Sequence, residues 1–371
     1  MVIALGIASA AIWVYLLCAR GGFWLERDSR AVKGRFGRVA PRVCAVVPAR
    51  NEAGVVRRSM ASLGAQLYNG EFQVVLVDDH STDETAQIAR EMGCHVISSA
   101  SLPAGWTGKL WAVSQGIDYA ARFMPDYFLL TDADIVHPRE NVAALTLRAE
   151  TDGYELVSYM ATLECRTLAE RALIPAFVFF FFLLYPPAWV RDSRRSTAGA
   201  AGGCILIRRQ MLEKIGGIAA IRGELIDDCA LASAVKRHGG RVWLGLNRDS
   251  VSIRDYAGFG EIGRMISRTA FTQLRYSALL LAGTVAGLIL TYAVPPVLAL
   301  AAVGWPRGLG VLGWTLMSIA YVPMLRYYRR SPLWAPVLPA VAVFYAGATI
   351  HSAICYWRGK GGMWKGRTHR A

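Results

Sequence analysis

The chain has 371 residues, 54% of them apolar and 18% charged, with 41 Lys and Arg against 27 Asp and Glu for a formal charge of +14. That balance is greasier than an ordinary soluble domain and points to a membrane protein of one large or two ordinary domains. The basic residues cluster beside apolar stretches, without the aromatic-interleaved stripe of a nucleic-acid binder, and seven scattered cysteines with no CxxC or zinc spacing read as reduced, buried thiols.

Residues 2–19 carry no charge. At ~1.5 Å per residue they reach about one hydrocarbon thickness, which predicts an N-terminal transmembrane helix over 1–20. A cleaved signal peptide is the rival reading, but a basic leading segment and a small-residue cleavage site are missing. Seven Lys and Arg from Arg20 to Arg42 follow directly, which puts the next domain on the cytoplasmic side.

From residue 42 onward, strands and helices alternate. Strands are predicted at 42–48, 72–77, 94–99 and 126–131, and helices at 53–67, 81–93 and 108–123. Ser81 and Glu84 stand at capping-box spacing. This order predicts an α/β domain with a mostly parallel sheet covered on both faces. The apolar stretch 172–190, broken by Pro175, Pro186 and Pro187, reads as an amphipathic or re-entrant interface helix. Its FVFFFF run reads as lipid or acceptor contact. Residues 195–275 return to mixed composition. Three apolar segments follow at 277–303, 308–325 and 333–355, each long enough to span. Three crossings would place the basic tail, 358–371, outside, against its charge, so a re-entrant first segment broken at Pro295-Pro296 stays open as an alternative.

The chemistry gathers at strand ends. LLTDADIVHP places Asp132 and Asp134 one residue apart behind an apolar run. Two carboxylates this close repel unless a cation sits between them. A hard divalent metal, Mg²⁺ or Mn²⁺, accepts such ligands and completes its shell with phosphate and water. VVLVDDHSTDET ends a second strand with Asp78 and Asp79. AVVPARNEAG ends the first with Pro48, Arg50, Asn51 and Glu52. Polar groups on three successive strand ends suit a nucleotide pocket along one sheet edge. Each taken singly also suits a turn or helix cap. His137 reads as turn chemistry before Pro138, and Arg254 as either a phosphate contact or a surface salt bridge.

PARNE, VDDHSTDET, GKLWAVSQG, LLTDADI, AGGCILIRR and ELIDDCALASAVKRHGGRVWLG, in this order, resemble the nucleotide-sugar half of a family 2 glycosyltransferase with the GT-A fold. RALIPAFVFFFFLLYPPAWV, AAGGC, LIDDCALA and RTAFTQLRYS are similar to the hopene-associated membrane subgroup. The resemblance covers roughly 40–280 together with the membrane layout. It implies a GT-A Rossmann-like domain over 40–275, C-terminal transmembrane segments over 277–357, and a role for each site residue. Pro48, Arg50, Glu52, Asp78 and Asp79 would hold the nucleoside. Lys109 would face the diphosphate, with Asp132, Gly202, Gly203 and Arg275 also on the donor. Asp134 and Asp132 would be the metal motif, and Asp228, with Asp227 beside it, the general base. A helix N-terminus also favours such acids without any catalytic role.

Processive relatives carry Q-x-x-R-W. Here the match is Thr272-Gln273-Leu274-Arg275-Tyr276, which favours single-sugar transfer over polymer synthesis. The expectation is therefore an inverting, metal-dependent enzyme of the inner (cytoplasmic) membrane. It would move one sugar from a nucleotide-sugar, expected to be a UDP-sugar, to a lipid hydroxyl of hopanoid or isoprenoid type. A processive polysaccharide synthase and a non-catalytic nucleotide-binding scaffold are the alternatives.

Overall fold

The computed structural model describes residues 1–26, 28, 39–359, 363–364 and 367–368. Most of the basic run after Arg20 and most of the basic tail lie outside the described residues. The chain forms two compact units. One combines 27–164 with 189–254 and 364–371, and the other combines 1–26, 165–188 and 255–363. Residues 165–188 and 255–275, which the sequence reading drew into the α/β domain, thus pack with the helical unit.

The α/β unit is built on an eight-stranded sheet. Its strands are β1 Val43–Ala49, β2 Phe72–Asp78, β3 His95–Ser98, β4 Tyr127–Leu130, β5 Ile135–Val136, β6 Leu156–Leu163, β7 Ile205–Arg208 and β8 Val242–Ser252. Their order across the sheet is β3-β2-β1-β4-β7-β6-β8-β5. The first four run parallel, with Val43 opposite both Phe72 and Tyr127. All seven residues of β1 are buried, because helices cover both faces of a parallel sheet. The helices Ala53–Gly64, Thr85–Glu91 and Gly108–Ala120 supply the crossovers. Burying each Val or Leu side chain contributes about 1.5–3 kcal/mol.

Beyond β4 the sheet is mixed. β7 is antiparallel to both β4 and β6, β8 runs parallel to β6, and β5 is antiparallel to β8. An antiparallel β7 enters the sheet at the edge where β4 leaves it, which brings the 200–204 turn beside Asp132. The β5–β8 pairing sets Ser252 opposite Ile135 and carries Arg254 to Asp134.

Ser81 and Glu84 do not form the expected capping box. The helix begins at Thr85 with no side-chain cap, and Ser81 Oγ instead accepts from Asn51 N at 3.0 Å. A capping box does form at Thr167 and Glu170, heading the helix Leu168–Leu184.

In the helical unit, three helices among the described residues are long and apolar enough to cross a membrane: Ala278–Ala301, Trp305–Tyr327 and Pro332–Trp357. The first is continuous through Pro295-Pro296. A π turn at Ile289–Ala293 precedes the prolines and accommodates the amide hydrogens they lack. The N-terminal helix Val2–Cys18 is apolar but only 17 residues long. Trp13 anchors it, donating Nε1–H to the Thr291 carbonyl at 2.8 Å and meeting Tyr292 edge-on. The FVFFFF run differs from its reading as a lipid-facing surface. Phe179 and Phe182 are fully buried, and Phe179 packs on Tyr321 while Phe180 packs on Tyr345. A bulky aromatic run gains more from edge-to-face packing than from solvation.

Gly116 sets the distance of its helix from the sheet. A Cβ there would lie 2.5 Å from Val46 Cγ1 and 2.7 Å from Val77 Cγ2. Gly116→Ala should therefore destabilise by about 1–3 kcal/mol, the cost of overpacking, despite the ~1 kcal/mol that Ala gains in a helix. A lowered thermal midpoint of the purified protein checks it.

Candidate active site

The carboxyl ends of β1, β2 and β4 converge on one edge of the sheet. Pro48, Lys109, Asp132, Gly202, Asp227 and Asp228 line a cleft there, walled by Leu110, Val113, Leu130 and Ile205. Lys109 stands in the first turn of the helix after β3, whose N-cap Thr107 accepts from Leu110 N. Its Nζ reaches Asp132 Oδ1 at 3.0 Å and Asp227 Oδ2 at 3.1 Å. Burial alone would lower the Lys109 pKa, but the charges of Asp132, Asp227 and Asp228 outweigh it and hold the ammonium firmly protonated.

Asp227 and Asp228 open the helix Asp227–Arg237, where the exposed N–H groups favour negative charge. Asp228 Oδ2 accepts from Gly202 N at 2.9 Å and Oδ1 from Cys229 N at 2.7 Å. Burial first, then the Asp227 charge, push the Asp228 pKa up to about 6, against the opposing pull of Lys109 and the two amides. Asp132 is also raised, by burial and by Asp134 and Asp227, with Lys109 opposing. Gly202 packs closely here, since a Cβ would sit 3.3 Å from Lys109 Nζ and 3.4 Å from Asp228 Oδ2, tight enough that the Lys109 ammonium would have to give by a few tenths of an ångström.

A second cation holds the other half of the acidic set. Arg254 Nε pairs with Asp134 Oδ2 at 3.0 Å, and its Nη2 pairs with Glu52 Oε1 at 2.7 Å. Ser252 Oγ adds a hydrogen bond to Asp134 Oδ2 at 3.1 Å. Arg254 is therefore a fork between two largely buried carboxylates and not a surface salt bridge. Burial disfavours its charge, yet Asp134 and Glu52 raise its pKa. The sequence signal for it was only its place after the helix that carries Asp227 and Asp228.

Farther along the edge, Arg50 Nη1 donates to the Asp79 carbonyl at 2.7 Å and lies 3.5 Å from its carboxylate, which also accepts from Ser99 Oγ at 2.8 Å. Asp78 is buried, and its carboxylate accepts from Ser81 N. Gly203 lies against Ile135, behind the cleft. Arg275 belongs to the helical unit and has a positive φ of 51°. Its neighbour Tyr276 stacks on Tyr356 at 4.3 Å, so this aromatic is committed to packing within that unit. His137, read as a turn residue, is buried in a polar network with Thr131 and Asn141. Among the described residues, no three His, Cys, Asp or Glu side chains are grouped to hold a metal. Asp132 and Asp134 are two of the carboxylates at this edge, and carboxylate oxygen is the ligand type that a hard divalent cation takes.

Residues 44–216 match the family model described as Glycosyl transferase family 2. The chain carries a family 2 glycosyltransferase domain. The matched span holds Lys109, Asp132, Asp134 and the glycine turn. A 4,4'-diaponeurosporenoate glycosyltransferase of Staphylococcus haemolyticus (strain JCSC1435) is 34% identical over 105 residues, 28% of this chain and 27% of that protein. An undecaprenyl-phosphate 4-deoxy-4-formamido-L-arabinose transferase of Enterobacter sp. (strain 638) is 30% identical over 124 residues, 31% of this chain and 36% of that protein. The chain thus spans well under half the length of these curated relatives. In structure it is similar to the mannosyltransferase PcManGT from Pyrobaculum calidifontis, solved in complex with GDP-Man and Mn²⁺. The TM-score is 0.60 at 17% identity, covering 95% of this chain and 99% of that one. The fold of the family 2 domain is the Rossmann-like GT-A core.

Arg254→Leu would remove the cation that Asp134 and Glu52 share. Removing one partner of a fully buried pair costs about 3–5 kcal/mol. Arg254 keeps 35% of its side chain exposed, so the expected loss is about 2 kcal/mol after solvent screening. Denaturant unfolding of Arg254→Leu beside wild type measures it.

Proposed function

We propose that this family 2 enzyme is an inverting, metal-dependent membrane glycosyltransferase. It moves one sugar from a nucleoside diphosphate sugar, a UDP-sugar in our reading, to a hydroxyl of a lipid acceptor. The observation that carries the reading is Lys109 bridging Asp132 and Asp227, with Asp228 held beside it by two amides.

In this reading the acceptor hydroxyl attacks the anomeric carbon from the face opposite the diphosphate. The new C–O bond forms as the bond to the leaving phosphate oxygen breaks. Asp228 takes the hydroxyl proton, and its raised pKa makes it a stronger base than an exposed carboxylate. Lys109 faces the charge that develops on the leaving diphosphate. Asp134 and Asp132 would hold a Mg²⁺ or Mn²⁺ ion, which supplies further neutralisation of that charge. Arg50, Glu52, Asp78, Asp79 and Pro48 shape the nucleoside end of the cleft. Gly202 and Gly203 allow close approach of the sugar.

A lipid acceptor is supported by the three apolar helices and by the names of the curated relatives. A hopanoid or other isoprenoid hydroxyl fits the subgroup that the flanking motifs resemble. The basic run after Arg20 supports a multi-pass protein of the cytoplasmic membrane with its catalytic domain facing the cytoplasm.

Calorimetric titration of the detergent-solubilised protein with UDP and GDP, with and without Mn²⁺, tests the donor site. Metal-dependent binding should weaken more than about tenfold in Asp134→Ala. No nucleotide binding under any metal condition leaves the non-catalytic scaffold in its place. Transfer of labelled sugar into lipid extract should fall about 10²–10⁴-fold in Asp228→Asn. A base works deprotonated, so the wild-type rate should rise through about pH 6 and level off above it. A pH-independent rate between 5 and 8 would remove Asp228 from that role.

A further inference from the structure

Behind the cleft lies a chain of buried polar side chains joined by hydrogen bonds, with Ser250 Oγ within 3.5 Å of both His137 Nδ1 and Asn141 Oδ1. Thr131, His137, Asn141 and Ser250 are all nearly inaccessible. Thr131 Oγ1 donates to the Gly203 carbonyl at 2.8 Å. Its single hydroxyl proton is thereby spent, so the 2.9 Å contact with His137 Nε2 requires Nε2 to be the donor. Asn141 Nδ2 approaches His137 Nδ1 at 3.1 Å and Cys204 Sγ at 3.6 Å. Its Oδ1 accepts from Ser250 Oγ at 3.4 Å. This amide orientation satisfies all three neighbours and leaves Nδ1 bare. The imidazole is neutral and its tautomer is fixed. A second proton would set Nδ1–H against the Asn141 amide hydrogens, and burial separately lowers the His137 pKa to about 4.

The far end of this chain is the glycine turn. Ser158 Oγ accepts from Ala201 N at 2.8 Å, and Thr131 grips the Gly203 carbonyl. Between those two anchors, Gly202 N–H points at Asp228 Oδ2. We propose that His137, acting through Thr131, is a positioning residue for the catalytic carboxylate. It locks the Thr131 hydroxyl onto Gly203 and so holds the Gly202 amide on Asp228. The inference rests on the reading of Asp228 as the base. Without His137 the Thr131 hydroxyl is free to rotate, the turn loosens, and Asp228 loses an amide that stabilises its charged form. The charged groups facing Asp228 are Asp227 and Lys109, and neither belongs to the chain of donors.

The test reads the carboxylate directly. Infrared difference titration of the full-length protein should show a protonated-carboxyl band that is absent in Asp228→Asn and has a midpoint near 6. Thr131→Val removes the hydroxyl at constant shape and should move that midpoint up by about half a pH unit or more. Thr131→Ser should restore it. A folded Thr131→Val with an unchanged midpoint overturns the proposal. Should that variant fail to fold, ¹⁵N spectra of histidine-labelled wild type decide. His137 must be the neutral Nε2–H tautomer from pH 6 to 8, and an Nδ1–H or cationic ring overturns the proposal. Release of UDP or GDP from UDP-glucose or GDP-mannose separates the two failures. Turnover retained in Asp228→Asn removes the base assignment. Turnover lost there, with the Thr131→Val midpoint unmoved, removes only the positioning role.

Discussion

Crowded negative charge at one sheet edge is the constraint on which this structure turns. Glu52, Asp132, Asp134, Asp227 and Asp228 all reach the ends of neighbouring elements there, and two cations, Lys109 and Arg254, are each shared between two of them. Two like charges 4 Å apart repel by about 4 kcal/mol at an effective dielectric near 20. The two bridges offset that repulsion where the carboxylates crowd. The raised pKa values of Asp132 and Asp228 mark how incompletely Lys109 offsets burial and the neighbouring carboxylates there.

Topology supplies these groups from distant parts of the chain. Lys109 arrives on the helix after β3, and the Asp227–Arg237 helix brings the acid pair. β7 runs antiparallel and so delivers the glycine turn to the edge that β4 leaves. β8 runs past β5 and delivers Ser252 and Arg254 to Asp134. The missing Cβ of Gly202 lets backbone amide, ammonium and carboxylate meet within van der Waals contact. Small residues are thus placed where charge has to be concentrated, and the polar chain behind them fixes their orientation.

The helical unit solves a different problem. Its long helices carry proline and glycine inside apolar runs, and the π turn before Pro295-Pro296 keeps one of them continuous. Gly310 lies so close to the Leu298–Ala299 backbone that a Cβ would stand 2.5 Å from Ala299 N. Such small residues let helices approach where apolar surroundings provide little drive for association. The aromatic run of Leu168–Leu184 fills the interior of this unit, with Tyr345 donating its hydroxyl to the Leu173 carbonyl.

The amino-acid sequence by itself determined the first four strands and the helices between them, because buried parallel strands are continuous apolar runs and their crossovers carry a helical period. It also determined the strand-end acids, since Asp78 and Asp79 stand at the end of β2 and Asp132 and Asp134 lie within four residues of the end of β4, and the apolar segments of the helical unit. Short-range capping was misplaced, because Ser81 found a better partner across a loop in Asn51. Only the tertiary structure decided which charges meet. The pairing of Arg254 with Glu52 spans 202 positions, and the gap between His137 and Ser250 is 113. Local periodicity carries no trace of such contacts, because they depend on strand order and register, which are settled when the whole sheet assembles.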